Sequence, residues 1–453
     1  MGTVKLETDG VPLPGPAEAR PAGHAGTGVG SYFVANYPPF SFWKTEMVGE
    51  ALKVLGRRAN PLVPLGLYLH IPFCRLRCKF CYFRVYTDRN AREVEDYVDA
   101  LGREIELLRE HPAAAGRPLR FVYFGGGTPS YLSTTQLRRL VDRIRAAFPW
   151  DRAEEVTFEC EPGTVTGKKL ETIRDIGVTR LSLGVENFDD KILEANGRAH
   201  RSAEILRAWG EILEVGFPQV NIDLIAGMAG ETEANWRACV RKAIDLAPDS
   251  ITIYQMELPW NTRFSREILE GTGLAVADWE QKRSWADLAF RDMEAAGYRI
   301  SSGYTLVRSD RPVRFVYRDA LWHGADMLGT GVASFSHLGG VHFQNADRIE
   351  DYMAIVREGR LPIARALAMT GQERSIRELV LQMKLGRVDA GYFRQKFGVE
   401  IIDRHRDALE TLRAAGLLSW EGDTISLTRA GLLRVDEIVQ SFFLPIHQGA
   451  RYT

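Results

Sequence analysis

The sequence is short of the features that mark several protein classes. It has no apolar run of about 18 residues, so no membrane-spanning helix is expected. Its formal charge is −1, which leaves no electrostatic case for nucleic acid or an anionic membrane surface. The first residues lack the basic-then-apolar order of a secretory signal, and Leu6 stands where a myristoylation signal needs Ser or Thr. Cysteine is scarce: there are five, an odd number with three clustered, which excludes a disulfide framework as the organising device. A reducing cytoplasm is the expected compartment. What remains is a chain of 453 residues, 45% hydrophobic, long enough for one large domain and a smaller one.

The organising stretch is Leu67 to Phe83, LYLHIPFCRLRCKFCYF. Cys74, Cys78 and Cys81 form C-x3-C-x2-C directly after an apolar run that reads as a buried strand. A loop leaving a strand can wrap three thiolates round one four-iron cube, leaving one iron open to a substrate. A structural zinc site needs four ligands; only His70 is near enough to be the fourth, and the spacing is not a usual zinc one.

These residues resemble the radical S-adenosylmethionine (SAM) superfamily. The flank Tyr68-Leu69-His70-Ile71-Pro72-Phe73-Cys74 resembles the branch that holds oxygen-independent coproporphyrinogen III oxidase, a related heme chaperone and the class C radical methyltransferases. The resemblance implies a 4Fe-4S cluster on the three cysteines and SAM on its open iron, two per chain where a second site is present. It also implies an electron donor such as flavodoxin or ferredoxin, and a small-molecule substrate.

Residues 1–60 read as a flexible Gly-, Pro- and Ala-rich segment followed by an aromatic arm, YFVANYPPFSFW, from Tyr32 to Trp43. The arm is read first as packing over the main domain, and second as a flap over the site. Apolar strands near Leu67, Phe121, Val156, Leu181, Val220 and Ile251 alternate with amphipathic helices near Glu93–Arg109, Thr135–Ala147, Thr166–Asp175, Ala203–Glu214 and Glu233–Asp245. Near-continuous apolar strands alternating with helices predict an α/β fold: a parallel sheet closed into a full or partial β/α barrel over 61–270. Residues 271–365 are expected to close the core with Tyr298–Tyr304 and a Gly-kinked strand, Leu328–His337. Residues 366–453 read as a small helical, winged-helix-like domain with SWEGDTISLT as its hairpin. No dense basic face marks it for DNA.

In such folds function gathers where strands end. Gly125-Gly126-Gly127-Thr128 follows the second strand; three glycines let backbone approach a ligand, though a plain tight turn would look the same. By resemblance Gly126, Gly127 and Thr128 bind the methionyl amino group of SAM, with Tyr68 beside the cluster. Glu159 and Glu161 share a strand face and can both point inward, with Cys160 in the core; the resemblance gives Glu159 to the first SAM. Glu186 stands where related oxidases and chaperones usually carry Gln, and a carboxylate cannot donate as an amide does. Arg198, Asp223 and Phe80 match positions that contact a second SAM, although an Arg–Asp ion pair would account for two of them. Gln255, Glu257 and Tyr304 are the substrate-side candidates, with Trp322 and Gln344 behind them. His323, His337, His342 and Cys239 read as packing.

Three departures bear on the reaction. Phe83 replaces the fourth cysteine of the oxidases, Tyr317 the iron-binding His of the chaperones, and the NYPPFSFW arm matches neither group. The resemblance then implies cleavage of SAM to a 5′-deoxyadenosyl radical, first for carbon methylation or methylene transfer to an unsaturated or aromatic metabolite. Coproporphyrinogen oxidation is the alternative, and heme delivery the third reading.

Overall fold

A computed structural model describes residues 29–31 and 33–450. The expectation of flexibility for the N-terminal segment, and the first residue of the arm, Tyr32, fall outside the described residues. Apolar strands in sequence order are β1 (Leu65–Ile71), β2 (Leu119–Gly126), β3 (Glu155–Cys160), β4 (Arg180–Glu186), β5 (Gln219–Ala226) and β6 (Ser250–Gln255). Each pairs in parallel with the next, and helices such as Ala91–Arg109 and Thr134–Ala147 cover them. Along β4 the buried Leu181, Leu183 and Val185 alternate with Ser182, Gly184 and Glu186, which face the cavity. A short helix, Asp190–Ala195, intervenes before the helix Ser202–Val215 and was not foreseen.

Further strands extend both edges: β7 (Tyr298–Ile300) and β8 (Thr305–Arg308) beyond β6, and β9 (Asp326–Thr330), β10 (Phe335–Leu338), β11 (Val341–Asn345) and β12 (Ile363–Ala368) beyond β1. The result is one open twelve-stranded sheet, parallel from β9 through β6 and antiparallel at its margins. Within Tyr298–Tyr304, β7 stops at Ile300 and the chain turns back into β8. One expectation needs correction: Leu328–His337 is not one kinked strand, since β9 and β10 are antiparallel, reversed through Gly331 at φ +97° and Ala333 at φ +59°.

After β12 the helix Gly371–Met383 opens the C-terminal unit, where β13 (Arg387–Asp389), β14 (Leu418–Glu421) and β15 (Thr424–Leu427) form a three-stranded sheet of order β13-β15-β14. The hairpin β14–β15 is the predicted wing; β13 was not foreseen. A second apolar core fills this unit and takes in Val34 and Tyr37 of the arm. Trp43 stacks on His342 at 4.9 Å, and Lys44 pairs with Ala366 of β12. The arm therefore packs, as first read. Ser31 and Phe33, at its start, reach the main cavity instead. Among the described residues no helix is long and apolar enough to cross a membrane.

Candidate functional site

A cavity of about 640 Å³ opens at the C-terminal ends of the parallel strands. One end is walled by the cysteine loop. That loop is pinned by backbone bonds from Tyr86 N to the Pro72 carbonyl (2.7 Å), from Cys74 N to the Tyr86 carbonyl (3.0 Å) and from Lys79 N to the Asn196 carbonyl (3.1 Å). Cys74, Cys78 and Cys81 all line the cavity. Beside them the Thr128 hydroxyl donates to Cys74 Sγ at 3.4 Å and Arg198 Nη1 to Cys78 Sγ at 3.2 Å.

The glycine turn has a structural reason. Gly126 sits at φ +111°, where side chains are strained, and a Cβ on Gly127 would lie 2.9 Å from the Ile71 carbonyl oxygen and 3.0 Å from Cys74 Sγ. The turn hugs the cysteine loop because it carries no side chains there.

The two β3 carboxylates have different fates. Glu161 accepts both arms of Arg75 (2.9 and 2.8 Å) and faces His200 Nδ1 at 3.1 Å. Burial alone would raise its pKa, but His200 and Arg75 hold it down to about 2. It is a fastened, structural anion. Glu159 has only neutral donors, the Tyr123 hydroxyl at 2.7 Å and the Gly126 backbone, and burial pushes it up to about 7.

Glu186 lies at φ +64° on a bulge in β4, also pushed to about 7 by burial, with Arg198 Nη2 at 3.5 Å. Asp223 accepts from Ser182 (2.6 Å) and Asn221 (2.9 Å), and burial raises its pKa. Arg198 therefore pairs with Glu186 and not with Asp223, which removes the Arg–Asp ion pair as an explanation. Of these three buried carboxylates only Glu186 is ion-paired to Arg198, so this end of the cavity suits a ligand that brings positive charge and hydroxyls.

Phe80 lines the same wall and packs on the cluster of Met256, Leu258 and Phe264. Gln255, Glu257 and Tyr304 line the far end, joined there by Phe33, Tyr254, Trp279, Arg283, Arg434 and Asp436. Met256, between Gln255 and Glu257, also reaches the lining, because strand alternation ends with β6 at Gln255. Tyr68 does not reach the lining; its ring stacks on Tyr123 at 5.8 Å, one layer below. Trp322 packs against the C-terminal core and Gln344 binds Arg365, so neither serves the cavity. His337 and His342 are buried against each other, Cys160 and Cys239 lie in the core, and His323 is exposed.

Residues 68–243 match the radical SAM superfamily, and 369–434 match the HemN C-terminal domain. Residues 68–243 form a radical SAM domain. This radical SAM protein is 28% identical over 381 residues to the heme chaperone HemW of Bacillus subtilis, covering 83% of this chain and 98% of that one. It is 27% identical over 422 residues to the oxygen-independent coproporphyrinogen III oxidase of Escherichia coli, covering 90% and 91%. The solved coproporphyrinogen III oxidase (HemN) from Escherichia coli superposes with a TM-score of 0.79 at 26% identity, covering 91% of this chain and 96% of that one.

Such a domain implies a 4Fe-4S cluster and SAM. The donor set fits. Three thiols from one loop face the cavity together, and three thiolates are a donor set that a cubane with one open iron takes. Burial pushes the Cys74 thiol up to about 11 and Cys81 to about 12, so the charge of bound iron is what makes thiolates favourable there. Cys74, Cys78 and Cys81 could hold the cluster, and the glycine turn with Glu159 could hold SAM against it.

Proposed function

We propose that this radical SAM enzyme oxidises a porphyrinogen-class substrate without oxygen, removing carboxyl groups from propionate side chains in the manner of the coproporphyrinogen oxidases it resembles. The observation that carries this reading is the continuous cavity. It joins the cysteine loop to an aromatic far wall, in a chain similar to the Escherichia coli oxidase over nearly its whole length. When bound, the cluster and SAM supply a one-electron cleavage that ends in hydrogen-atom abstraction from the substrate. The chain's own residues orient and shield. Glu159, Glu186 and Asp223 offer acceptors for a cationic cofactor, and Phe33, Tyr254 and Tyr304 offer ring faces to the substrate. Arg198 and Asp223 with Phe80 form a second anchor apart from the glycine turn, which supports two SAM molecules per chain. An acidic small redox protein, such as flavodoxin or ferredoxin, is the electron donor in this reading.

The relatives of matching length bear oxidase and chaperone names, so carbon methylation, the first expectation from the sequence, gains no support from them. Heme delivery is disfavoured by Tyr317. Its ring lies 4.4 Å from Tyr123 and outside the cavity lining, and tyrosine is the less common heme ligand.

The test is anaerobic turnover of cluster-reconstituted protein with SAM, a strong reductant and coproporphyrinogen III. Release of CO2 with 5′-deoxyadenosine in step with vinyl product is the expected result. S-adenosylhomocysteine with a methylated product and no CO2 would overturn it in favour of methyl transfer.

A further inference from the structure

The far end of the cavity carries a charge pattern unlike the cluster end. Arg283, on the helix Trp279–Ala295, donates through Nη2 to Glu437 Oε2 at 2.7 Å. Arg434 donates to the same carboxylate through Nε at 3.2 Å and Nη2 at 2.7 Å. Arg434 and Glu437 alone would be an ordinary pair three residues apart on the surface. The second guanidinium comes from a different part of the chain and is surplus to it. Arg283 Nε is moreover buried with no hydrogen-bond partner.

Asp436 is bound by Lys384 at 2.7 Å. Glu257 lies in the field of both Lys282 and Arg283, with its Oε2 lacking a hydrogen-bond partner. Arg283 and Arg434 stand in the same lining as the aromatic faces of Phe33, Tyr254 and Tyr304.

We propose that Arg283 and Arg434 form a carboxylate-binding subsite that anchors an acidic side chain of the substrate, with the ring system against Phe33, Tyr254 and Tyr304. This rests on the porphyrinogen reading above and sharpens it: the substrate's anionic arms are held at the far end, away from Glu159, Glu186 and Asp223. Planar guanidinium forks bind carboxylates in two-point geometry, and Arg283 Nε is the free donor that such a ligand would satisfy.

The probes are coproporphyrin III, which carries four carboxylates, and its neutral tetramethylamide, titrated anaerobically into the cluster-loaded protein by porphyrin fluorescence anisotropy. The free acid is expected to bind at least about tenfold tighter than the amide. Arg283→Gln with Arg434→Gln should remove that advantage and leave amide binding unchanged. Arg283→Lys with Arg434→Lys should restore part of it, and cluster absorbance reports that each variant is folded. Equal affinity of acid and amide for the wild type, or full acid affinity in the Gln variant, overturns the anchor and leaves the oxidase reading untouched. Arginine-dependent acid binding with no oxidation of coproporphyrinogen III upholds the anchor and sinks the oxidase reading. Failure of both probes to bind sinks both.

Discussion

Removing Lys384 should loosen the aromatic arm from the enzyme. Its ammonium is fully buried and spends all three donors: on the Val34 carbonyl (2.7 Å), the Tyr304 hydroxyl (3.0 Å) and Asp436 Oδ1 (2.7 Å). Asp436 in turn accepts Val34 N–H at 3.0 Å and the Tyr304 hydroxyl at 2.5 Å. One ion pair thus grips both polar groups of a single arm residue and holds Phe33 over Lys384, 3.9 Å from ring centre to nitrogen. Lys384→Met keeps the bulk and leaves a mostly buried carboxylate without its cation. Breaking a buried pair costs about 3–5 kcal/mol, and the Asp436 side chain is 21% exposed, so about 3 kcal/mol is the working figure. Because the chain has two cores, global unfolding is not the right readout. Native-state hydrogen exchange at Val34 is, since it reports local opening, and about 3 kcal/mol means about a hundredfold faster exchange. Amides in β1–β3 should not change. In a double-mutant cycle with Asp436→Asn, a coupling of about 2 kcal/mol is expected. Acceleration below about threefold, or strictly additive single losses, would refute the reasoning.

Other outcomes follow from the same geometry. Cys74→Ala should abolish both cluster absorbance and SAM cleavage; turnover retained without a cluster would remove the mechanism altogether. Gly127→Ala puts a Cβ against backbone at Ile71 and Pro72, so the cysteine loop must shift; SAM affinity measured by equilibrium dialysis should fall at least about tenfold. Glu161→Gln tests linkage. The folded-state pKa is depressed to about 2, so its stabilisation is present above about pH 4.5 and is lost as pH falls through 2. The variant should be about 2–3 kcal/mol less stable than wild type at pH 7 by denaturant titration, with the gap closing as pH falls from about 4.5 toward 2; a gap independent of pH would contradict the assignment.

The half of the site built by strand ends was legible because a parallel sheet collects its loops at one edge, whatever the loops contain. Cys74, Cys78, Cys81, the glycine turn, Glu159, Glu186, Arg198 and Asp223 all arrive at the cavity by that rule. Spacing could say that Glu159 and Glu161 share a face, yet not that they differ. The difference comes from Arg75 and His200, which reach Glu161 from other segments, while Glu159 meets neutral donors, the Tyr123 hydroxyl and the Gly126 backbone. The misread strand Leu328–His337 failed for a related reason. Small residues can kink a strand or reverse it, and here a Cβ on Gly329 would fall 2.1 Å from the Phe335 carbonyl oxygen, a closeness that exists only once the chain has turned back.

The far wall had no such rule to announce it. Phe33, Arg283, Arg434 and Asp436 come from an arm, a covering helix and the C-terminal unit, each unremarkable in its own stretch. An arginine on a helix or three residues before a glutamate reads as a solvated surface pair, and only the docked C-terminal unit turns two of them toward one carboxylate. That division has a functional consequence. The sheet edge positions the cysteine loop and the glycine turn, whereas the wall assembled from non-sheet segments can change without disturbing the sheet. Exchanging the arm, the helix Trp279–Ala295 and the C-terminal unit together, with the strands untouched, should change which substrate is taken while leaving cluster and SAM binding intact; loss of cluster absorbance on the exchange would contradict that division.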